Sequence, residues 1–399
     1  MSRPEDIKKL KIAVLGTGAN GAGIGADLAQ AGFDVTFIDQ WPANVDAIRR
    51  HGIRVEVGGA MVITPVRALH LCDVATLVDP FDAVLLVVKA YDTRWACELI
   101  KPHVAATGFV VGVQNGMTGD AIVDVMGEDR ALAAVIEITS AMYEPGLVER
   151  HSAFERSWFA VGAPRPAARK HVPLAAALLR QSGTVEEVDD IRSAKWMKLV
   201  LNAGELVPSA ILDLSIVDCA RIEGMRPVMI RAGDEAIRLA KEERLAIRPI
   251  FGMEGVAAAH PETFMATILD ELVAHYVRPH SRSTFLQDWI KGRHCEVDEI
   301  NGLVVDGLSS HGLNAPVNQA LVEFAHDIER GVRERGMHNY DALLGRIEEL
   351  DALPATGTAR NPRLVRVRYR GDRPYPVLSR RATLKKVAAT IVTAPRTMR

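Results

Sequence analysis

The chain has 399 residues, of which 48% are hydrophobic and 25% are charged. This is the composition of a folded globular protein with two or three domains, and it excludes a lone small module or a chain disordered throughout. Lysine and arginine number 48 against 50 aspartate and glutamate residues, a formal net charge of −2, so no overall charge attracts nucleic acid or an anionic membrane.

The sequence contains no predicted membrane span, secretory signal or disulfide pattern. An uninterrupted apolar stretch such as Ala83 to Val88 is far shorter than the roughly 20 residues of a membrane span, so we interpret it as a buried strand. The first six residues lack the apolar segment of a secretory signal, which predicts a cytoplasmic protein. The four cysteines are scattered without a C-x-x-C pair, and we predict neither a disulfide framework nor a metal site.

From residue 11 onward, short β-branched runs alternate with helical stretches. Strands are predicted at residues 12–15, 35–38, 84–88, 109–113 and 133–138. Such alternation is typical of an α/β protein with a doubly wound parallel sheet of the Rossmann type, which we assign to residues 1–190.

The strand signal fades after about residue 190, and helical spacing replaces it. Helices are predicted at residues 193–212, 226–243, 262–277 and 316–330, which gives an all-helical C-terminal domain over residues 191–345. The remaining residues, 346–399, form a basic extension, since residues 359–399 carry 12 lysines and arginines against one acid. We interpret it as a solvated or partner-packed extension, and nucleic-acid binding is not expected because no aromatic platform accompanies the charge.

A glycine-rich loop directly follows the first predicted strand, and a helix rich in small residues follows the loop. Its sequence is Gly16-Thr17-Gly18-Ala19-Asn20-Gly21. The first glycine permits a tight turn, the second lets the backbone approach a pyrophosphate, and the third allows the helix to pack against the strand. The loop and its context predict a dinucleotide-binding site.

Asp39 ends the second predicted strand, 23 residues after Gly16. A carboxylate there accepts hydrogen bonds from ribose hydroxyls and repels a 2′-phosphate, which favours NAD over NADP. The alternative is that Asp39 closes the turn and that Arg49 or Arg50 reaches a phosphate.

Polar residues follow two later strands at the edge where such sheets bind ligands. Lys89 and Asn115 are expected to flank the nicotinamide end of the cofactor there, although a structural ion pair is an equally good interpretation of Lys89.

In the helical domain, Lys198 and Asn202 are four residues apart and share one helix face. A partly buried lysine suits delivery of a proton to the oxygen of a ketone that receives a hydride, but a helical lysine is more often simply a surface residue.

These motifs occur together in one known family. Six motifs occur in order between about residues 11 and 331. They are the glycine loop, Val88-Lys89-Ala90, Gln114-Asn115-Gly116-Met117, the segment from Lys198 to Asn202, Thr284-Phe-Leu-Gln-Asp288 and Glu296-Val-Asp298-Glu-Ile-Asn301-Gly302. With them the chain resembles the ketopantoate reductase family. The resemblance does not cover the basic extension.

The resemblance implies a Rossmann domain joined to a helical domain, with a 2-keto acid reduced in the cleft between them. It assigns the catalytic lysine to Lys198 and a substrate-binding glutamate to Glu296, which is expected to hold a substrate hydroxyl or to orient the ammonium of Lys198. Asn115, Asn202 and Thr284 are the implied substrate contacts, and a homodimer through the helical domain is expected by the same analogy. The chain departs from the family at three places. Leu206 replaces an asparagine, and Thr284, which keeps a hydroxyl, replaces the serine that binds the substrate carboxylate in the family. Asp39-Gln40-Trp41 replaces the arginine that follows strand two in NADPH users.

The sequence thus predicts an NAD(P)-dependent oxidoreductase that transfers a hydride between nicotinamide and C2 of a 2-keto or 2-hydroxy acid. An alternative is a dehydrogenase of the same fold that acts on a bulkier or a 3-hydroxy alcohol. An alternative of another class is a non-catalytic protein that senses NAD.

Overall fold

The computed structural model describes residues 7–255 and 259–354. Strands and helices alternate through the N-terminal part, as predicted. The strands are β1 (Lys11–Leu15), β2 (Asp34–Asp39), β3 (Ile53–Val57), β4 (Ala60–Thr64), β5 (Arg67–His70), β6 (Phe81–Leu86), β7 (Val104–Val113), β8 (Ala131–Glu137), β9 (Ser140–Ala141), β10 (Leu147–Arg150), β11 (Trp158–Gly162) and β12 (Thr184–Glu187). The helices between them are α1 (Ala19–Gln30), α2 (Pro42–His51), α3 (Thr93–Ile100), α4 (Gly119–Met126) and α5 (Val172–Leu179).

Eight of these strands form one sheet in the order β12-β11-β8-β7-β6-β1-β2-β5. All neighbours are parallel except β8 and β11, so the predicted doubly wound parallel sheet is confirmed. Because β7, β6 and β1 are neighbours in this sheet and run parallel, their carboxyl ends lie side by side. A second sheet, in the order β4-β3-β10-β9, was not predicted.

Side chains of β1 alternate between two cores, as the twofold period of a strand requires. Ile12 and Val14 pack with α1 on one face, whereas Ala13 and Leu15 pack on the other face with residues of α3 and α4. Burial on both faces explains why the strand is a continuous apolar run.

After β12 the described chain is helical, as predicted. The helices are α6 (Ile191–Ile211), α7 (Ile216–Arg221), α8 (Met225–Glu242), α9 (Phe264–Glu271), α10 (Thr284–Ile290), α11 (Leu303–Ser310), α12 (Pro316–Glu329) and α13 (Tyr340–Asp351). Wider π-helical turns continue α9 over Leu272–Tyr276 and precede α11 over Asp298–Gly302.

The predicted end of the helical domain at residue 345 is corrected by α13. This helix runs across that boundary, and Ile347 and Leu350 are buried in the helical core, so the helical part extends at least to Asp351. Of the predicted basic extension, residues 346–399, the part from residue 355 onward lies outside the described residues. In the described part, no helix combines the length and the apolar character needed to cross a lipid bilayer.

Helix α6 joins the helical part to the sheet. The side chain of Asp190 caps its first turn by accepting a hydrogen bond from the backbone N–H of Ser193 at 3.0 Å. The helix shares its core with Val135 of β8 and Trp158 of β11. This packing places one face of α6 over the carboxyl end of β8, where polar side chains of helix and sheet meet.

Candidate active site

The glycine loop follows β1 at the centre of the carboxyl edge. Gly16 has a φ of +94°, and a Cβ there would lie 2.7 Å from the backbone nitrogen of Val88, so the turn needs glycine. A Cβ at Gly21 would overlap the carbonyl oxygen of Gly16, which makes the close packing of α1 depend on this residue. At Gly18 a Cβ would meet nothing within 4 Å, so this part of the loop is open to a ligand.

The amino end of α1 fits a pyrophosphate. The helix begins at Ala19, and no side chain caps the free backbone N–H groups of its first turn. Such N–H groups and the helix dipole favour an anion. The side chain of Asn20 is engaged on the protein side, because its amide oxygen accepts a hydrogen bond from the Ser140 hydroxyl at 2.5 Å. The backbone of the loop, rather than this side chain, is therefore suited to the phosphates.

Asp39 is buried at the carboxyl end of β2, and both of its oxygens already accept hydrogen bonds. One accepts from the backbone N–H and the hydroxyl of Thr17, each at 2.7 Å, and the other accepts from the backbone N–H of Trp41 at 2.7 Å. These contacts are those of the turn-closing alternative, and the expected hydrogen bonds from Asp39 to a ribose stay a prediction. Arg49 is paired with Asp73 at 2.5 Å, so it does not extend toward the loop.

A positively charged residue from the helical part approaches the same end of β2. The guanidinium carbon of Arg293 lies 4.9 Å from the centre of the Trp41 ring, a cation–π contact between the two parts of the chain. Sequence reasoning missed this contact because the two residues are far apart in the chain.

Lys89 is held by two carboxylates of the helical part. Its ammonium lies 2.5 Å from Asp288 and 3.4 Å from Glu296, whose other oxygen accepts a hydrogen bond from the backbone N–H of Ala90 at 2.8 Å. Despite burial, these carboxylates raise the pKa of Lys89. The structural ion pair, left open from the sequence, is therefore what the structure contains.

Of the two roles expected for Glu296, the structure does not contain the contact with Lys198, and the contact with a substrate hydroxyl stays a prediction. Glu296 is committed to Lys89 and Ala90, while the partners of Lys198 are two other glutamates. Glu137, at the end of β8, lies 2.5 Å from the ammonium of Lys198, and Glu205, two turns further along α6, lies 3.8 Å from it. Since Glu137 terminates the strand on which α6 packs, it replaces Glu296 as the group that orients Lys198.

The electrostatics of this buried cluster follow from its charges. Burial alone acts to lower the pKa of Lys198, but the carboxylates of Glu137 and Glu205 raise it above its usual value. Burial raises the pKa of Glu205 to about 7, against the opposing effect of Lys198. Lys198 is therefore held as an ammonium, and Glu205 titrates near neutral pH.

Three further predicted residues keep polar groups available. The amide nitrogen of Asn202 and the hydroxyl of Thr284 are buried and have no hydrogen-bond partner within the described chain. The side chain of Asn115 is half-buried and also makes no hydrogen bond to the described residues. Asn115 and Lys198 line one small cavity together with Gln114, Gly116, Val135 and Lys195. A buried polar atom without a partner is costly, so these groups are suited to a ligand that completes their hydrogen bonds.

Lys195 is a second buried lysine of this cavity, one turn before Lys198 on α6. Its ammonium donates hydrogen bonds to the backbone carbonyls of Gln114 at 2.6 Å and of Ala134 at 3.2 Å. Burial lowers the pKa of Lys195 to about 8. The sequence carries a signal for Lys195 and Glu205, which lie three residues before and seven after Lys198 on the same face. Glu137 had no such signal, because only the packing of α6 on β8 brings it there.

No group of three or more histidine, cysteine or acidic side chains with the arrangement of a metal site occurs in residues 7–255 and 259–354. The polar side chains of the cavity are instead two lysines and two amides, and the carboxylates of Glu137 and Glu205 lie against one of the lysines, Lys198. This set can bind and protonate an oxygen atom and hold a small polar molecule.

Comparisons with known proteins agree with this architecture. Residues 12–164 match the family model described as Ketopantoate reductase PanE/ApbA, and residues 190–329 match the model of its C terminal domain. The chain is similar to the 2-dehydropantoate 2-reductase of Halobacterium salinarum, with 25% identity over 80% of this chain and 99% of that protein.

Solved structures give the same result. The crystal structure of a PanE/ApbA family ketopantoate reductase from Ralstonia eutropha JMP134 has 28% identity and a TM-score of 0.67, and the match covers 81% of this chain and 99% of that one. The ternary structure of D-mandelate dehydrogenase with NADH and anilino(oxo)acetate has 20% identity and a TM-score of 0.71 over the same shares of the two chains, which shows the fold alone.

Proposed function

Since the chain belongs to the ketopantoate reductase family, we propose that it is an NAD(P)-dependent reductase of a 2-keto acid, with Lys198 as the proton donor. In this reaction a hydride is added to C2 and a proton to the oxygen of the keto group, and the reverse reaction oxidises the 2-hydroxy acid. The nicotinamide cofactor supplies or accepts the hydride.

The observation that carries the proposal is the buried ammonium of Lys198 in the cavity next to Asn115. An ammonium has three N–H donors. Glu137 accepts one of them and Glu205 lies in the direction of a second, which leaves the third for a carbonyl oxygen. Hydride addition places negative charge on that oxygen, and a positioned ammonium both stabilises the charge and delivers the proton.

The cofactor would bind along the carboxyl edge of the sheet. The open backbone at Gly18 and the uncapped N–H groups from Ala19 onward would hold the pyrophosphate, and Asn115 would place the nicotinamide. In this proposal Thr17 and Asn20 shape the loop, because their side chains already have protein partners. In this proposal the Lys89–Glu296 ion pair has a positioning role: it holds the turn after β6 against the helical part.

We propose NAD as the cofactor on electrostatic grounds. The carboxylate of Asp39 places a negative charge at the end of β2, which disfavours a 2′-phosphate there even though its oxygens are engaged. NADP is the second candidate, because the guanidinium of Arg293 over Trp41 is a cation at the same end of the strand. Arg293→Ala separates the two: if the enzyme uses NADPH through this residue, the KM for NADPH rises at least tenfold while that for NADH stays unchanged.

The substrate contacts in this proposal are Asn115, Asn202 and Thr284, whose polar groups have no partner in the described chain. Leu206 replaces an asparagine expected from the family resemblance, so the cavity offers one polar contact fewer and suits a 2-keto acid with an apolar side chain. The homodimer and the cytoplasmic location remain predictions.

The decisive experiment measures oxidation of NADH and NADPH against a panel of 2-keto and 3-keto acids that includes ketopantoate. We expect turnover of a 2-keto acid, and a fall of roughly 100-fold or more in kcat for Lys198→Ala, as is typical for loss of a general acid. Lys241→Ala, on the exposed surface of α8, is the matched control. Near-normal turnover by Lys198→Ala excludes the proposed mechanism, and NADH binding without turnover of any carbonyl compound favours a sensing role.

A further inference from the structure

The cavity contains one buried cation, Lys195, that makes no direct ion pair with a carboxylate of the described chain, although Glu296 acts on it from a longer distance. Lys195 is 4% exposed, and both of its hydrogen-bond partners are neutral backbone carbonyls, those of Gln114 and Ala134. The other two lysines of this region are each paired, Lys89 with Asp288 and Lys198 with Glu137. Within the described chain, no carboxylate lies within ion-pair distance of Lys195.

A buried ammonium of this kind is expensive unless an anion accompanies it. The two carbonyls tie down two of its three N–H groups, and the third has no partner among the described residues. Near neutral pH the group is still mainly charged, because burial lowers its pKa only to about 8. The cavity therefore presents a positive charge with a free donor.

The neighbours of Lys195 decide which part of a substrate it suits. Lys195 and Lys198 line the same cavity, three residues apart on α6, where side chains are about 5–6 Å apart at Cβ. A carboxylate close to Lys198 meets Glu137 and Glu205, which repel it. A carboxylate close to Lys195 meets a cation that has no direct carboxylate partner and only the longer-range influence of Glu296, while the adjacent keto oxygen stays within reach of Lys198.

We propose that Lys195 binds the carboxylate of the substrate from its side of the cavity and sets the preference for a 2-keto acid over a neutral ketone. The proposal rests on the proposed function, which it deepens: Lys198 acts on the keto oxygen, and Lys195 holds the neighbouring carboxylate. A purely structural role, in which Lys195 only joins the ends of β7 and β8, makes different predictions.

The test compares Lys195→Met and Lys195→Arg with the unaltered protein, with Lys241→Met as a control that also removes one lysine charge. The substrates are the 2-keto acid with the highest turnover and its primary amide, which has the same shape without the charge. For Lys195→Met we expect the KM of the acid to rise at least 30-fold with kcat changed less than fivefold, and the KM of the amide to change less than threefold. Lys195→Arg keeps the charge and is expected to retain most of the preference for the acid.

Two outcomes overturn the proposal. An unchanged preference for acid over amide in Lys195→Met, accompanied by a lower melting temperature, assigns the residue to structure alone. An equal loss of kcat for both substrates, with a shifted pH profile, assigns it to proton transfer.

A binding measurement separates this inference from the proposed function. Calorimetry with the NADH complex compares oxamate, a charged analogue of a 2-keto acid, with neutral oxamide. Weaker binding of oxamate by Lys195→Met, with oxamide unaffected, supports the carboxylate site even if no carbonyl compound is turned over. Equal oxamate affinity in the two proteins overturns it.

Discussion

Replacement of Glu137 by glutamine removes the charge that holds Lys198 and leaves the shape of the side chain in place. The glutamate oxygen lies 2.5 Å from the ammonium, and glutamine retains an oxygen that accepts its hydrogen bond. The remaining groups around Lys198 are Glu205 at 3.8 Å on the same helix, the Phe251 ring at 5.2 Å, and Lys195 one turn away. Tyr276, whose pKa is raised by burial and by Glu137, approaches from the segment after α9.

The sign of the effect follows from the two opposing influences on Lys198. Burial favours the neutral amine, and the carboxylates overcome this and raise its pKa above the usual value of 10.5. An opposite charge at contact moves a pKa by about 1–3 pH units, so without Glu137 the pKa of Lys198 falls by about this amount. Each pH unit corresponds to about 1.4 kcal/mol, which puts the preference for the ammonium that Glu137 supplies at about 1.4–4 kcal/mol.

The assay is the dependence of kcat on pH for reduction at saturating 2-keto acid, from pH 6 to about pH 11, because kcat/KM for the acid would also follow the titration of Lys195. Because reduction needs the ammonium form, we expect the alkaline decline of Glu137→Gln to begin about 1–3 pH units lower, with activity near pH 6 mostly retained. Glu149→Gln, on β10 with a side chain that is 45% exposed, is the control and is expected to leave the profile unchanged. A uniform loss of activity at every pH, or a profile that does not move, refutes the electrostatic role of Glu137.

Other predictions concern stability and the cofactor loop. The pKa of Glu205 is raised from 4.5 to about 7, so the stability that this carboxyl group contributes is present below pH 4.5 and is lost as the pH rises through 7. We therefore expect Glu205→Gln to raise the free energy of unfolding by about 1–3 kcal/mol at pH 8 but not at pH 4.5, as measured by urea titration. Lys89→Met leaves two buried carboxylates without their cation, and we expect it to lower the free energy of unfolding by roughly 3 kcal/mol. Replacement of the exposed Lys170 is the control and is expected to change the free energy of unfolding by less than about 0.5 kcal/mol. Equal effects of the two variants contradict the ion-pair interpretation. Gly18→Ala fills open space and is expected to weaken NADH binding at least tenfold without a change in melting temperature. Gly21→Ala displaces α1 and is expected to lower the melting temperature as well. Fluorescence titration and thermal melts measure both effects, and an unchanged NADH affinity of Gly18→Ala excludes this loop as the pyrophosphate site.

The sequence predicted the larger sheet and the long helices because their hydrophobic spacing directly reflects burial. Helix α12 begins at Pro316, as its proline indicates, and Val317, Leu321 and Phe324 are buried at the predicted spacing. The small sheet had no such signal. Four of the five residues of β4 are exposed, and β3 pairs with β10 more than 90 residues away, so neither an apolar pattern nor a local turn marks that pairing.

The site was predictable where chemistry depends on local spacing. Glycines at three positions of a turn, and a lysine and an asparagine four residues apart on a helix, are properties of short segments. The partners of those residues depend instead on how segments pack. Glu137 contacts Lys198 across 61 residues of sequence, and Glu296 contacts Lys89 across 207, so neither pairing could be read from a short segment.

The three lysines of the cleft show why a residue type alone does not give a role. Lys89 has two carboxylates and joins the two parts of the chain, Lys198 has two carboxylates and lines the cavity, and Lys195 lines the same cavity with none. The pKa is raised for the first two and lowered to about 8 for the third, although all three are the same chemical group. Burial lowers the pKa of each lysine, so the difference between them comes from the carboxylates that β8, α6 and α10 place nearby. Lys89 and Lys198 are paired with such carboxylates, whereas Lys195 is available to bind the carboxylate of a substrate.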